Sequence, residues 1–145
     1  MPGEIDAHEL ESLLAEAAAI PKPEDHRYTI DIGSIDRYLL LTITGMILQP
    51  IPSEFSNRLE SLINRGAGRS IIVDLSTCTY ISSAVIGTLV SFFGATTKAG
   101  GQMVMVRPPQ RVEGVLKAVG LDQFFLMVES RDMAVAFYHT QFVKK

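Results

Sequence analysis

The stretch SIIVDLSTCTYISSAVIGTLVSFFGATTKAGGQMVMV, Ser70 to Val106, places two short apolar runs on either side of a long segment without charge. The runs SIIVDL and MVMV have the length and composition of strands that are covered on both faces of a sheet. Between them, apolar residues recur with the i, i+3, i+4, i+7 spacing of a helix, namely Ile86, Leu89, Val90 and Phe93. AGG at positions 99–101 ends that helix. The stretch therefore predicts a strand, a helix and a second strand parallel to the first.

The residues before this stretch predict a hairpin and a helix. Tyr28–Ile32 and Tyr38–Thr44 alternate like strands around a turn at Gly33–Asp36, which indicates an antiparallel pair. The proline-bearing segment MILQPIP follows Gly45 and is predicted to be a loop. Ser53 is a candidate N-cap for a helix that ends near Gly66 and whose apolar face comprises Phe55, Leu59, Leu62 and Ile63.

The residues after Val106 predict two more helices with a short strand between them. The first helix has the apolar set Val112, Val115, Leu116 and Val119 and is closed by Gly120. Phe124–Val128 fits a last strand. A final helix begins near Ser130, with Met133, Ala134, Phe137 and Tyr138 on its apolar face.

The N-terminal region predicts a separate amphipathic helix. Asp6 is a candidate N-cap, and the apolar face that follows comprises Leu10, Leu13, Leu14, Ala17 and Ala18. The segment PKPEDH then predicts a short linker. We therefore divide the chain into a helix and linker at 1–22 and one α/β domain at 23–145. The domain is predicted to contain a mixed sheet of four to five strands with about four helices, in addition to the N-terminal helix.

Composition limits the partners and the location that we expect. The formal net charge is -3 and the pI is near 5.6, which gives no general attraction to nucleic acid or to anionic lipid. The N-terminus has acidic residues where a signal peptide needs positive charge, and no run of about 18 apolar residues occurs. The lone Cys78 is expected to be a buried apolar residue. We expect a cytoplasmic protein that binds neither nucleic acid nor membranes.

The sequence offers little support for catalysis. His8, His26 and His139 lie in the first helix, the linker and the tail, away from the predicted ends of the sheet. The segment INRGAGRS places its glycines before a strand, whereas phosphate-binding glycine loops follow a strand and open a helix. Metal-ligand and nucleophile motifs are not found. We therefore predict a protein that is not an enzyme, with no catalytic residue, metal site or cofactor.

The serine pair Ser82 and Ser83, at the start of the charge-free helix, has two interpretations. Serine at such a junction commonly caps the helix by accepting a hydrogen bond from a backbone N–H of the first turn. Alternatively, Ser83 is a phosphorylation site, with Ser82 as the second choice. A helix N-terminus tolerates phosphate within its own chain, whereas the added charge beside an apolar partner surface would cost its desolvation on binding.

The charge-free helix also has two interpretations. If the four apolar residues named above face the sheet, Val85, Thr88, Phe92 and Ala95 lie on other sides without any charge to solvate them. Either the helix is covered on two sides within the chain, or it presents an apolar patch to another protein. In the second case the candidate partner-binding residues are Ser82, Ser83, Val85, Thr88 and Phe92, joined by Met46 and Ile47 from the loop after Gly45.

The segment from Val73 to Phe125 resembles the STAS domain of bacterial anti-sigma factor antagonists. The stretch TYISSAVIG is similar to that family's serine-containing motif, and Gly100-Gly101 and Gly120-Leu121 occur at matching places. With the hairpin, the resemblance covers about residues 28–140. Ser83 matches the family's phosphorylated serine, Ser82 matches an aspartate, and Val85 matches a glycine.

The resemblance implies a regulatory protein that binds a serine-kinase anti-sigma factor and thereby frees a sigma factor. It also implies that phosphorylation at Ser83 breaks the complex and that a phosphatase restores it. Two alternatives stay open. One is a STAS scaffold that self-associates, for example as a homodimer, or joins a signalling complex without phosphorylation. The other is a small-molecule or lipid binder, suggested only by the apolar MILQPIP loop.

Overall fold

A computed structural model describes residues 7–20, 27–65, 70–118, 120, 122–123 and 125–143. Five helices and six strands lie within these residues. In chain order they are α1 (Ala7–Ala18), β1 (Tyr28–Ile35), β2 (Tyr38–Ile47), α2 (Ser53–Asn64), β3 (Ser70–Asp74), β4 (Cys78–Ile81), α3 (Ser83–Lys98), β5 (Gln102–Val106), α4 (Gln110–Ala118), β6 (Leu126–Val128) and α5 (Arg131–Val143).

The six strands form one mixed sheet in the order β1-β2-β3-β5-β6, with β4 paired to the end of β2. β1 and β2 form an antiparallel hairpin, in which Ile35 pairs with Tyr38, so the turn is shorter than the sequence predicted. All other strand pairs are parallel. The predicted α/β class, the mixed sheet and the extra N-terminal helix are confirmed.

The sixth strand, β4, is an addition to the predicted architecture. It runs parallel to the last residues of β2, with Met46 opposite Tyr80 and Ile47 opposite Ile81. The prediction of a loop from Met46 onward was therefore wrong for its first two residues. They continue β2 because β4 supplies hydrogen-bonding partners beyond the register shift at Gly45.

Helices α1 to α4 share the larger core with one face of the sheet. Alternate strand residues point to this face, as expected for a period of two. The buried members include Leu13, Ile30, Leu41, Ile43, Phe55, Leu59, Ile71, Val73, Leu89, Met105, Val112 and Leu116. The predicted apolar face of α2 is confirmed as buried. Ser53 is not its N-cap, because Pro52 occupies that position and no side chain caps the helix. Gly66 lies outside the described residues.

Helix α1 packs against β1 and α2. Leu13, Ala17 and Ile20 are buried in the larger core, whereas Ala18 is exposed. Both terminal nitrogens of the Arg65 guanidinium donate to the Glu16 carboxylate at 3.2 Å, which links α1 to the end of α2. The helix thus covers part of the core. Its predicted cap, Asp6, and the predicted linker at 21–26 lie outside the described residues, so the proposed domain limits remain a prediction.

Helix α5 packs on the opposite face of the sheet. There it encloses a smaller core that comprises Tyr38, Leu40, Ile72, Val104, Val106, Ala134 and Tyr138. The hydroxyl oxygen of Tyr138 lies 2.8 Å from the carbonyl oxygen of Ile71 and 2.9 Å from that of Gln102, so it can donate to either strand. Burial raises the pKa of Tyr138 far above its usual value. Met133, which the sequence placed inside, is exposed at the start of α5.

The C-terminal elements are otherwise close to the prediction. Ser130 caps α5, since its Oγ accepts from the backbone N–H of Met133 at 3.1 Å. In α4, Val112 and Leu116 are buried, but Val115 is 37% exposed and does not belong to the core. Val119 and Phe124 lie outside the described residues.

Candidate functional site

The N-terminal end of α3 is built by the serine pair. β4 ends at Ile81, and Ser82 has the extended backbone of an N-cap, with φ -71° and ψ 160°. Its Oγ accepts from the backbone N–H of Val85 at 3.4 Å, which satisfies one of the unpaired donors of the first turn. Its own N–H donates to the carbonyl of Ile47 at 2.9 Å. Ser82 therefore has the predicted capping role and also joins α3 to the end of β2.

Ser83 differs from Ser82 because its side chain is exposed and has no hydrogen-bonding partner among the described residues. It is the first residue of α3, where backbone N–H groups and the helix dipole favour negative charge. The first turn of α3 contains no acidic residue that would compete for this position. Ser82 thus caps α3 and fixes its start, whereas the hydroxyl of Ser83 is accessible.

The end of β2 contributes two exposed apolar side chains beside the serines. Met46 is 41% exposed and Leu48 is 45% exposed. Ile47 lies between them and is completely buried, because alternate residues of a strand point to opposite faces. The prediction that Ile47 contacts a partner was therefore wrong. Leu48, which the sequence interpretation left out of the site, has the exposure that Ile47 lacks.

Helix α3 is rotated relative to the predicted orientation. Val85 and Phe92 are buried together with Ile86, Leu89, Ala95 and Thr96, and Val90 and Phe93 are only partly buried. The prediction that Val85 and Phe92 bind a partner was wrong, because both pack into the core between α3, α2 and the sheet. Thr88 is half-buried, and its hydroxyl donates to the carbonyl of Ala84 at 3.2 Å.

The outward side of α3 explains how a helix without charge until its last turn remains compatible with water. The exposed positions of the helix are occupied by small or polar residues: Ser83, Ala84, Gly87, Ser91, Gly94, Thr97 and Lys98. Ser91 donates to the Glu60 carboxylate of α2 at 2.9 Å. The helix is thus covered within the chain by α2 and the sheet. Its solvent-facing side consists of small and polar side chains and is not strongly apolar.

A second polar group lies at the carboxyl ends of β3, β5 and β6. Asp74 is buried, and its carboxylate accepts from Arg131 Nε and from the backbone N–H of Ser76. Arg131 also donates to the hydroxyl of Thr42 at 3.2 Å. Burial acts to raise the pKa of Asp74, but the hydrogen bonds from Ser76 and Arg131 outweigh it and hold that pKa below its usual value.

This polar group borders an open cleft of about 410 Å³, which Arg107 and Glu129 also line. Its members are far apart in the sequence and come together only because the strands are parallel, so the sequence interpretation did not identify them. Because Asp74 is bonded on both carboxylate oxygens, we assign the group to the attachment of α5 to the sheet.

Among the described residues, no helix has the length and apolar character needed to span a membrane.

Comparison with known protein families identifies the family to which this chain belongs. A family model of the STAS domain matches residues 29–134, which is most of the chain. The chain belongs to the STAS domain family. The match begins in β1, ends in α5 and includes the serine pair at the start of α3.

Solved structures support the same fold. The anti-sigma factor antagonist SpoIIAA in its unphosphorylated form superposes with a TM-score of 0.67 at 14% identity, over 77% of this chain and 97% of that chain. The Bacillus cell fate determinant SpoIIAA in the phosphorylated form gives 0.60 at 13% identity, over 76% and 99%. An anti-sigma factor antagonist from Mycobacterium paratuberculosis gives 0.52 at 20% identity, over 75% and 92%. At such identities the likeness concerns the fold of this STAS domain.

Proposed function

We propose that this STAS domain is a regulatory module of the anti-sigma factor antagonist type, which binds a serine-kinase anti-sigma factor through the N-terminal end of α3. In this proposal the kinase phosphorylates Ser83, the phosphorylated form releases the partner, and a phosphatase restores binding. The proposal rests on one observation above all: Ser83 is exposed at the first position of α3 while Ser82 is engaged as the cap.

The surroundings of Ser83 are suited to a switch. A phosphate there would lie near N–H groups and the positive end of the helix dipole, so the domain can carry it without unfolding. The exposed side chains of Met46 and Leu48 offer apolar contact area to a partner on the same side of the domain. Since a dianion next to such a contact must lose its hydration when the partner binds, phosphorylation is expected to weaken the complex.

Three residues of this chain depart from the family motif: Ser82, Ala84 and Val85 stand where the motif has aspartate, a second serine and glycine. The changes at Ser82 and Val85 fit the structure. Ser82 occupies the position of the motif aspartate, and serine and aspartate are both favourable N-cap residues, so the helix start is preserved. Val85 occupies the position of the motif glycine and is completely buried, so its side chain adds to the core rather than to the surface beside Ser83.

The test is phosphorylation in vitro. The full chain is incubated with ATP and candidate serine kinases of the histidine-kinase-like ATPase class from the same genome, and phosphate is located by mass spectrometry. We expect phosphate on Ser83, loss of the signal in Ser83→Ala, and retention in Ser91→Ala, which removes another exposed serine of α3. Absence of phosphate at Ser83, together with unchanged partner binding by Ser83→Asp, would refute the switch.

The narrow outer side of α3 supports a second candidate function, a STAS scaffold that self-associates. Gly87, Ser91 and Gly94 would let another helix approach the backbone of α3 closely. Light scattering over a range of protein concentrations tests this function. Gly94→Arg should shift the chain toward the monomer, whereas Thr140→Arg on the exposed side of α5 should not. A monomer at all concentrations would exclude self-association.

A further inference from the structure

Tyr80 of β4 connects exposed apolar residues at the end of β2 with an arginine and an exposed valine of α4. Met46 pairs with Tyr80 in adjacent parallel strands, so their side chains point to the same face of the sheet. The guanidinium carbon of Arg111 lies 4.7 Å from the centre of the Tyr80 ring. Val115 follows Arg111 by one helical turn on α4. We call Met46, Leu48, Tyr80, Arg111 and Val115 the β4–α4 patch.

The patch concentrates exposed apolar surface. Met46, Leu48 and Val115 are 41%, 45% and 37% exposed, and they are three of the five large hydrophobic residues found exposed in the described part of the chain. The other two, Leu126 and Met133, belong to β6 and α5. Exposed apolar side chains grouped with an aromatic ring, a methionine and an arginine are typical of surfaces that bind another protein.

Within the part of the chain that the structure describes, Arg111 has no carboxylate partner. Three other cations of the described residues have one: Arg65 pairs with Glu16, Lys117 with Glu113, and Arg131 with Asp74. For Arg111 the structure gives only the contact with the Tyr80 ring. Stacking on an aromatic ring restrains a guanidinium without using its N–H donors, which stay available for a planar acceptor such as a carboxylate.

We propose that the β4–α4 patch binds a partner protein segment that is apolar and carries a carboxylate, which pairs with Arg111. The apolar side chains of the segment cover Met46, Leu48 and Val115, and the carboxylate accepts from the guanidinium in a site made drier by that contact. A membrane surface or a nucleic acid requires several clustered cations, whereas the patch has one cation in a chain of net charge -3.

The patch adjoins the proposed switch, since Ser82 donates to the carbonyl of Ile47, between Met46 and Leu48. The inference therefore rests on the proposed function where it assigns the partner to this side of the domain. It does not require phosphorylation. A partner bound at the end of α3 would place its carboxylate and its apolar side chains along β4 and α4.

The test uses a displayed library of random peptides selected on the full chain. Selected peptides are synthesised, and their affinities are measured by fluorescence anisotropy. We expect enrichment of Asp or Glu among apolar residues. Arg111→Gln should weaken the selected peptides about tenfold and Arg111→Lys less, because lysine keeps the charge but loses the planar fork. Lys117→Gln, the matched loss of a cation from α4, should change affinity less than about twofold, as expected for an exposed, already paired charge.

The apolar part of the patch is tested in the same assay. Met46→Ser should weaken binding several-fold, whereas Met133→Ser, the matched exposed methionine of α5, should not. Failure to enrich any peptide, or selected peptides that bind Arg111→Gln as tightly as the wild type, would overturn the proposal. So would Arg111-dependent binding to phosphatidylglycerol vesicles in place of acidic peptides. Phosphorylation of Ser83 is scored separately, so either proposal can fail while the other stands.

Discussion

Gly87 and Gly94 provide the most direct test of how α3 lies on the sheet. Both are exposed, and a Cβ atom added at either position would meet no atom within 4 Å apart from the chain neighbours and the backbone of α3 itself. Glycine inside a helix costs roughly 0.5–1 kcal/mol relative to alanine, because it loses more backbone freedom on folding. We therefore expect Gly87→Ala and Gly94→Ala each to raise the free energy of unfolding by about that amount.

The two effects should add. Seven residues of helix separate the sites by about 10.5 Å, a distance at which independent substitutions are usually additive. The double variant should gain about 1–2 kcal/mol. For 145 residues, an unfolding entropy of about 2.1 cal/mol/K per residue converts this gain into a Tm increase of about 3–7 °C.

The assay is urea unfolding followed by far-UV circular dichroism, with calorimetry for Tm. Gly45→Ala is the matched control of opposite sign, because Gly45 has φ 93° and an added Cβ would lie 2.2 Å from the carbonyl oxygen of Arg27. A double variant no more stable than the wild type would mean that the two glycines do not face solvent, and the orientation of α3 would be wrong. If this side of α3 contacts the partner, the better-folded double variant should nevertheless bind it less tightly.

Four further substitutions test the caps and the cores. Ser82→Ala should lower the free energy of unfolding by about 0.5–1 kcal/mol through loss of the α3 cap, and an unchanged urea midpoint would contradict that role. Asp74→Asn should cost about 1–3 kcal/mol at pH 7. The pKa of Asp74 is lowered in the fold, so the stabilisation by its carboxylate is present above the unfolded pKa of about 3.9 and is lost as the pH falls through the folded pKa. The difference in unfolding free energy between Asp74→Asn and the wild type should therefore shrink at pH 3. An equal difference at pH 7 and pH 3 would refute this. Leu13→Ala should cost about 2–5 kcal/mol, and a calorimetric loss below about 0.5 kcal/mol would place Leu13 at the surface. Tyr138→Phe should cost about 1 kcal/mol, and in an alkaline absorbance titration of the wild type Tyr138, one of the four tyrosines, should stay protonated until the chain unfolds.

The sequence predicted the elements that have strong local signals. The β-branched run of β3, the regular apolar spacing of α2 and the capping serine of α3 all appear where expected. β4 escaped prediction because it has only four residues, Cys78–Ile81, of which two are polar or aromatic and exposed in part. Its partner residues in β2 precede two prolines, which made that segment resemble a loop.

The orientation of α3 was harder to predict for a different reason. An amphipathic helix is oriented by its charged side, and α3 has no charge before Lys98. Both the set containing Val90 and Phe93 and the set containing Val85 and Phe92 satisfy helical spacing. The small residues Gly87 and Gly94 were the available signal, since they mark a side on which nothing large is needed for the core.

Interactions between distant segments were not predictable from spacing. The stacking of Arg111 on Tyr80 joins residues of different elements, and so does the bond between Arg131 and Asp74. Such pairs depend on strand order and register, which one sequence does not specify. The exposed Ser83 was predicted as a candidate, and its difference from Ser82 became clear only from the cap geometry.

The packing of α1 and α5 also determines which residues a stably folded fragment must include. The family match covers residues 29–134 and omits Leu13 and Ala17 of α1 and Tyr138 of α5, all of which are buried. A fragment cut at those limits would leave both sides of the sheet partly uncovered, and we expect it to aggregate or remain unfolded. The residues that match the family and the residues that this fold needs for its stability therefore have different boundaries. Comparisons among relatives that are confined to the shared pattern would overlook side chains on which this member depends.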